Sequence, residues 1–169
     1  MSREQYVAIA RYMVQHSKIK GAFVWAQRAL AGLVYACYTC FLLYSLLTKG
    51  VRVFWVLLVL PAVCFLGFSA VRRGINAPRP GQVYGFVPVL EPGKQGCSFP
   101  SRHTFSAFLI AGAVVPLNTA VGCGLCLVAA LIGAGRVIGG VHFVRDVAMG
   151  AALGAGCGIC CAMALTQFI

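Results

Sequence analysis

Eight side chains between residues 72 and 146 have the types and spacing to handle a phosphate group. Arg72 stands seven residues before Arg79, which is held between Pro78 and Pro80. Ser101, Arg102 and His103 follow Pro100, and Arg136, His142 and Asp146 come last, six and four residues apart. Planar, permanently charged guanidinium groups suit bidentate contact with phosphate oxygens. Two histidines can divide the work of nucleophile and general acid. A carboxylate one helical turn from a histidine can hold one ring nitrogen and leave the other free to attack. The chain has only three acidic residues, so finding one of them beside a histidine is informative. Each cluster by itself also fits a bland role: Arg72 or Arg73 as a positive helix end, Ser101 or Asp146 as a helix cap. The bland reading is accepted for Arg73. It is weaker for Arg79, because a membrane anchor does not need a rigid Pro-Arg-Pro frame.

The elements that must position these residues are apolar. Of 169 residues, 60% are hydrophobic and 10% charged, against roughly a quarter charged in soluble domains. Charge-free stretches run over 29–47, 53–71, 104–135 and 147–169. One membrane span takes about 20 residues. The third stretch is too long for one span and suits two short ones, turned at Pro116-Leu117-Asn118. The expected fold is therefore all-α: an integral membrane bundle of about five transmembrane helices over 29–169, in a single domain of residues 1–169. Residues 1–20 carry too many charges for a span. Tyr6, Ala10, Met13 and Val14 recur at helical spacing, which predicts an amphipathic interfacial helix. The segment lacks the layout of a cleaved signal peptide. In this arrangement the loops after the second and fourth spans share one side of the membrane, so all three clusters can meet. Ser101 opens the third span, where free backbone N–H groups make an anion site.

Other features are read structurally. The net charge of +11 does not imply nucleic-acid binding, because the cations sit at helix ends, where anionic lipid headgroups and substrates are met. Three Cys-x-x-Cys pairs, 37/40, 123/126 and 157/160, fall inside apolar spans without histidines, as small hydrophobes do; no metal site is expected. Cys97 differs in lying in a loop beside the proposed site. Gly150, Gly154 and Gly158 form a small-residue stripe for close helix approach, within the bundle first and between two copies as the lesser use.

The three clusters together resemble the signature of the type 2 phosphatidic acid phosphatase (PAP2) superfamily, Lys-x6-Arg-Pro, Pro-Ser-Gly-His and Ser-Arg-x5-His-x3-Asp. Order and spacing match over residues 72–146, and the five-span body resembles the small bacterial members. Arg72 replaces the lysine, Arg102 the glycine and Gly135 the serine. The resemblance implies a hydrolase of a lipid phosphate in a bacterial cytoplasmic membrane, with no metal or cofactor. Its substrate would be a phosphatidate, a phosphatidylglycerophosphate or a polyprenyl (undecaprenyl) diphosphate. It also implies roles: His142 as nucleophile through a phosphohistidine, Asp146 orienting it, and His103 as acid. Arg72, Arg79, Ser101, Arg102 and Arg136 would hold phosphate. The competing class is a transporter or scaffold that keeps a phosphate-binding shell, which has no need of a nucleophile, an acid and an orienting carboxylate together.

Sidedness is contested. Apart from the four site arginines, eight Lys/Arg lie on the site's side, at 3, 11, 18, 20, 28, 73, 94 and 145, against Lys49 and Arg52 on the other. Charge bias places such a side in the cytoplasm. The resemblance implies the outer face, and that is the expectation carried forward, with the terminus at Ile169 opposite.

Overall fold

A computed structural model describes every residue except Pro92, Lys94 and Ile169. The expectations for Lys94 and for the terminal Ile169 lie outside the described residues. All regular structure among the described residues is helical: α1 (Arg3–Gln15), α2 (Ser17–Tyr44), α3 (Val51–Ile75), α4 (Pro80–Tyr84), α5 (Arg102–Val114), α6 (Thr119–Ile138) and α7 (Val144–Thr166). A π-helical turn, Ser45–Lys49, ends α2, and Gly50 at φ 94° reverses the chain where a side chain would be strained.

Helices α2, α3, α6 and α7 are long and apolar enough to cross a membrane. Their outer faces expose Trp25, Trp55, Leu127 and Met163, a surface that suits lipid and not water. Helix α5 is different. Its 13 residues reach only about 20 Å, short of a bilayer's roughly 30 Å hydrocarbon core. It is also the most enclosed helix: Phe105, Leu109, Ala111, Ala113 and Val114 are all buried. The third expected span is thus a central post surrounded by the others. Val115–Leu117 forms the predicted turn, and Asn118 caps α6 by accepting a hydrogen bond from Val121 N at 3.1 Å.

The post is held most closely by α7. A Cβ placed on Gly150 would come within 2.6 Å of Ser101 O, and one on Gly158 within 3.0 Å of Gly112 Cα; Gly154 meets Phe105 in the same way. The small-residue stripe is therefore used inside the chain. Gly150, Gly154 and Gly158 are buried and present no face to a second copy. On the other flank Phe68 of α3 stacks on Phe105 at a centroid distance of 3.8 Å.

One element bound and one inner face differ from expectation. Helix α2 starts at Ser17, a dozen residues before the charge-free stretch, because Lys18, Lys20 and Arg28 can lie along a helix whose near end reaches the headgroup region. Helix α1 has the expected type, with Ser2 and Gln5 forming a reciprocal cap. Its inner face is Tyr6 and Ala10, whereas Val14 is exposed. That face covers the loops of the bundle: Tyr6 lies among Tyr84, Phe86 and Phe143 at 5.8–6.2 Å.

The candidate active site

Four helix ends converge on one face of the bundle: the C-termini of α3 and α6 and the N-termini of α5 and α7. They and the segments that join them carry the residues singled out above. A cavity of about 560 Å³ is lined by Arg72, Arg79, Arg102, Arg136, His103 and His142, together with Arg73 and Glu91.

Asp146 sits in the first turn of α7, fully buried. Its Oδ2 accepts from the Phe143 backbone N–H at 3.0 Å, half of a capping box. The same oxygen accepts from the Ser98 hydroxyl at 2.5 Å and lies 3.6 Å from His142 Nδ1. That last separation is an ion-pair distance, longer than a hydrogen bond. Ser98 Oγ is 3.5 Å from the same ring nitrogen, so the serine stands beside both members of the pair. Cap and orienting carboxylate are one group. Asp146 Oδ1 has no hydrogen-bond partner among the described residues; Arg145 Nε is 3.7 Å away on a largely exposed side chain.

His142 is 2% exposed. Its backbone N–H donates to Arg136 O at 3.3 Å, and its carbonyl accepts from Tyr6 Oη at 3.1 Å. The loop between α6 and α7 is thus tied from both sides. Burial lowers the His142 pKa below the ordinary histidine value; Arg79 and Arg72 act in the same direction, and Asp146 opposes them. The Tyr6 phenol is pushed up to about 12, mainly by burial and then by Asp146 and Tyr84, which keeps it a donor.

The arginines are fixed by backbone carbonyls. Arg72 Nε donates to Pro100 O at 3.0 Å and its Nη2 to Cys97 O. Arg79 Nε donates to Gly96 O and Nη1 to Val141 O, both at 3.1 Å. Those bonds cross-link the loop before α5 to the loop before α7. Asn76 supports the first loop: in the left-handed conformation that ends α3, its Oδ1 accepts from Cys97 N at 3.2 Å. Arg136 Nε is buried with no hydrogen-bond partner among the described residues, an unmet donor beside the cavity. Arg102 is exposed and lines the cavity.

Ser101 departs from its expected part. It is fully buried and its hydroxyl pairs with Thr104 Oγ1 at 3.0 Å, while its N–H donates to Asp146 O at 2.8 Å. It locks α5 to α7 and is not among the cavity-lining residues. Gly135, where the family pattern has serine, also has a local cause. A Cβ there would overlap the side-chain amide of Gln27 from α2, so glycine makes room for a buried glutamine.

Sequence reasoning missed Ser98, Tyr6 and Gln27, and read Arg73 only as an anchor. Ser98 stands within the second cluster, but nothing local distinguishes it from any loop serine. Tyr6 and Gln27 act across 136 and 108 positions of chain, a separation that no local motif spans. All nine cysteines are free thiols, and Cys97 contributes its carbonyl to Arg72.

Residues 55–168 match the sequence model of the PAP2 superfamily. No curated protein sequence matches the chain. Among solved structures, the crystal structure of Aquifex aeolicus LpxE is similar at 26% identity and a TM-score of 0.70. The alignment covers 95% of this chain and 93% of that one. The first transmembrane PAP2 type phosphatidylglycerolphosphate phosphatase from Bacillus subtilis shares the fold, at 24% identity and a TM-score of 0.52. There the coverage is 97% and 93%.

Proposed function

Because this integral membrane chain belongs to the PAP2 superfamily, we propose that it hydrolyses the phosphate ester of a lipid through a phosphohistidine. One observation carries this reading: the buried His142–Asp146–Ser98 set faces a cavity lined by Arg72, Arg79, Arg102, Arg136 and His103. A phosphate held by those arginines lies against the one imidazole that a carboxylate supports. His142 Nε2 attacks phosphorus, the bond from phosphorus to the lipid oxygen breaks, and His103 gives that oxygen its proton. The phosphate dianion itself favours the protonated form of His103, which otherwise stands among cations. Water then attacks the phosphohistidine, His103 takes a water proton, and phosphate leaves. Asp146 stabilises the phosphoimidazolium formed in the first step, and the second returns His142 to its neutral form. The arginines, held in place before substrate arrives, neutralise the charge on the phosphoryl oxygens.

The lipid nature of the substrate is supported by the setting, since the cavity opens at the end of a bundle whose flanks are apolar. The test is phosphate release by purified protein in detergent from phosphatidate, phosphatidylglycerophosphate and a prenyl diphosphate, with and without EDTA. Turnover that survives EDTA and is blocked by vanadate supports the mechanism. Turnover lost in EDTA and restored by Mg²⁺ would overturn it. We place the catalytic face, with α1, on the outer side of the membrane. In a cysteine-free background, a cysteine at position 3 should react with an impermeant reagent on intact cells. Protection of that cysteine would put the site in the cytoplasm.

A further inference from the structure

Residues 139–143 join α6 to α7 outside any helix. In the mechanism proposed above, this loop must hold one imidazole in one place. Its carbonyls are taken up one by one. Gly139 O accepts from Val89 N at 3.0 Å and from Leu90 N at 3.2 Å, and Val141 O accepts from Arg79 Nη1 at 3.1 Å. The carbonyl of His142 itself accepts from Tyr6 Oη at 3.1 Å. Val89, Leu90 and Arg79 lie within the 55–168 region of the family match. Tyr6 lies outside that region, in α1, 136 positions from its partner.

Tyr6 is built into the underside of this loop. It is 2% exposed. Its ring stacks on Phe86 at 5.8 Å and meets Phe143, the neighbour of His142, edge-on at 6.2 Å. Phe86 in turn lies against Gly140, where an added Cβ would come within 2.8 Å of the Phe86 ring. The buried residues of α1 are Tyr6 and Ala10, so the helix meets the bundle chiefly through this one large side chain. Tyr6 is not among the residues lining the catalytic cavity, and it acts on the loop from behind. With its pKa pushed up to about 12, chiefly by burial, the phenol stays a donor at any pH near neutrality. A buried carbonyl that loses its donor is costly, and a reacting group displaced by a fraction of its reach costs rate.

We infer that α1 is a strap that delivers the Tyr6 hydroxyl to the His142 carbonyl, which makes Tyr6 a positioning residue for His142. The inference rests on the phosphatase reading above. It extends the working parts of the enzyme to a helix that the family match does not reach.

The experiment uses Tyr6→Phe, which keeps the stacked ring and removes only the hydroxyl. The substrate is whichever of the three lipid phosphates above the wild type turns over fastest, in mixed micelles. The variant should lower kcat about tenfold. KM and the inhibition constant of inorganic phosphate should stay at their wild-type values, because the arginines are untouched. The midpoint of the His142 titration, read by NMR of ¹⁵N-labelled histidine, should rise toward the ordinary value as water reaches the loosened ring. Arg3→Ala removes another tie of α1, from Arg3 Nε to Tyr84 O at 3.3 Å, without touching the His142 carbonyl, and should leave kcat unchanged. Wild-type kcat in Tyr6→Phe, a fall matched by weaker phosphate inhibition, or an equal fall in Arg3→Ala would overturn the strap and leave the phosphatase reading standing. If the wild type hydrolyses no lipid phosphate, the phosphatase reading fails. The His142 midpoint then decides the strap alone, and an unmoved midpoint in Tyr6→Phe overturns it.

Discussion

The two sides of the catalytic cavity are built on opposite plans. On one side His142, Asp146 and Ser98 are almost wholly buried, and the loop that carries His142 is pinned by Tyr6, Arg79 and Arg136. On the other, Arg102 is exposed, Arg136 keeps an unpartnered Nε, and His103 is half-buried. A nucleophile must be held in one rotamer before substrate arrives, because misplacement is costly to rate. Groups that grip and protonate a varied leaving group must stay open until something enters. In the proposed mechanism the closed side governs turnover of every substrate, and the open side governs which substrate is turned over.

Removing the two histidines separately should break this contrast most sharply. His142→Ala should lower kcat by at least about 10³-fold on every substrate, since no other group can accept the phosphoryl. His103→Ala should cost about 10²-fold on a lipid phosphate and much less on p-nitrophenyl phosphate, whose leaving group needs no proton. Single-turnover assays on both substrates check this, and equal losses for His103→Ala would refute its acid role.

A smaller effect is expected from Ser98→Ala, which takes one of two hydrogen bonds from Asp146 Oδ2. Loss of that charge-assisted bond should reduce kcat about tenfold with little change in KM. Ser98→Thr, which restores the hydroxyl, should recover most of it. A KM effect instead would assign Ser98 to the open side.

The closed side also sets a pH dependence. In the proposed mechanism His142 attacks as a neutral imidazole. Burial, aided by Arg79 and Arg72, holds its pKa below the ordinary histidine value. The midpoint of the His142 titration should therefore lie below the ordinary histidine value, as read by NMR of ¹⁵N-labelled histidine. Asp146 opposes the shift, so Asp146→Asn should move the titration lower still. A titration at or above 6.5 would contradict the burial argument.

The least effect belongs to Arg145→Ala. Its Nε lies 3.7 Å from Asp146 Oδ1, but the side chain is 73% exposed, and such pairs contribute less than about 1 kcal/mol. Neither melting temperature nor kcat should change measurably. A large loss would mean that the pinned side extends to this arginine.

Much of this was legible beforehand. Hydropathy set the spans, and α6 falls where the charge-free run and the Pro116 turn put it, because a bilayer demands a fixed length of apolar helix whatever the fold. The spacing of Arg136, His142 and Asp146 placed a carboxylate one turn from a histidine, since helical geometry is local. The short central α5 was not legible: a buried helix and a lipid-facing one are equally apolar in sequence, and only packing distinguishes them.

The sequence by itself thus determined an all-helical membrane bundle and the cationic and histidine side chains near its helix ends. Both follow from local rules of hydropathy and spacing. Only the tertiary structure decided that Ser101 locks α5 to α7 and that Ser98 supports Asp146. It alone decided that Tyr6 ties down the His142 loop, and that Gly135 is small because Gln27 fills its place. Each of those is a contact between elements far apart in the chain, fixed by how helices α1, α2, α5 and α7 pack, and packing between distant segments leaves no periodic mark in either one.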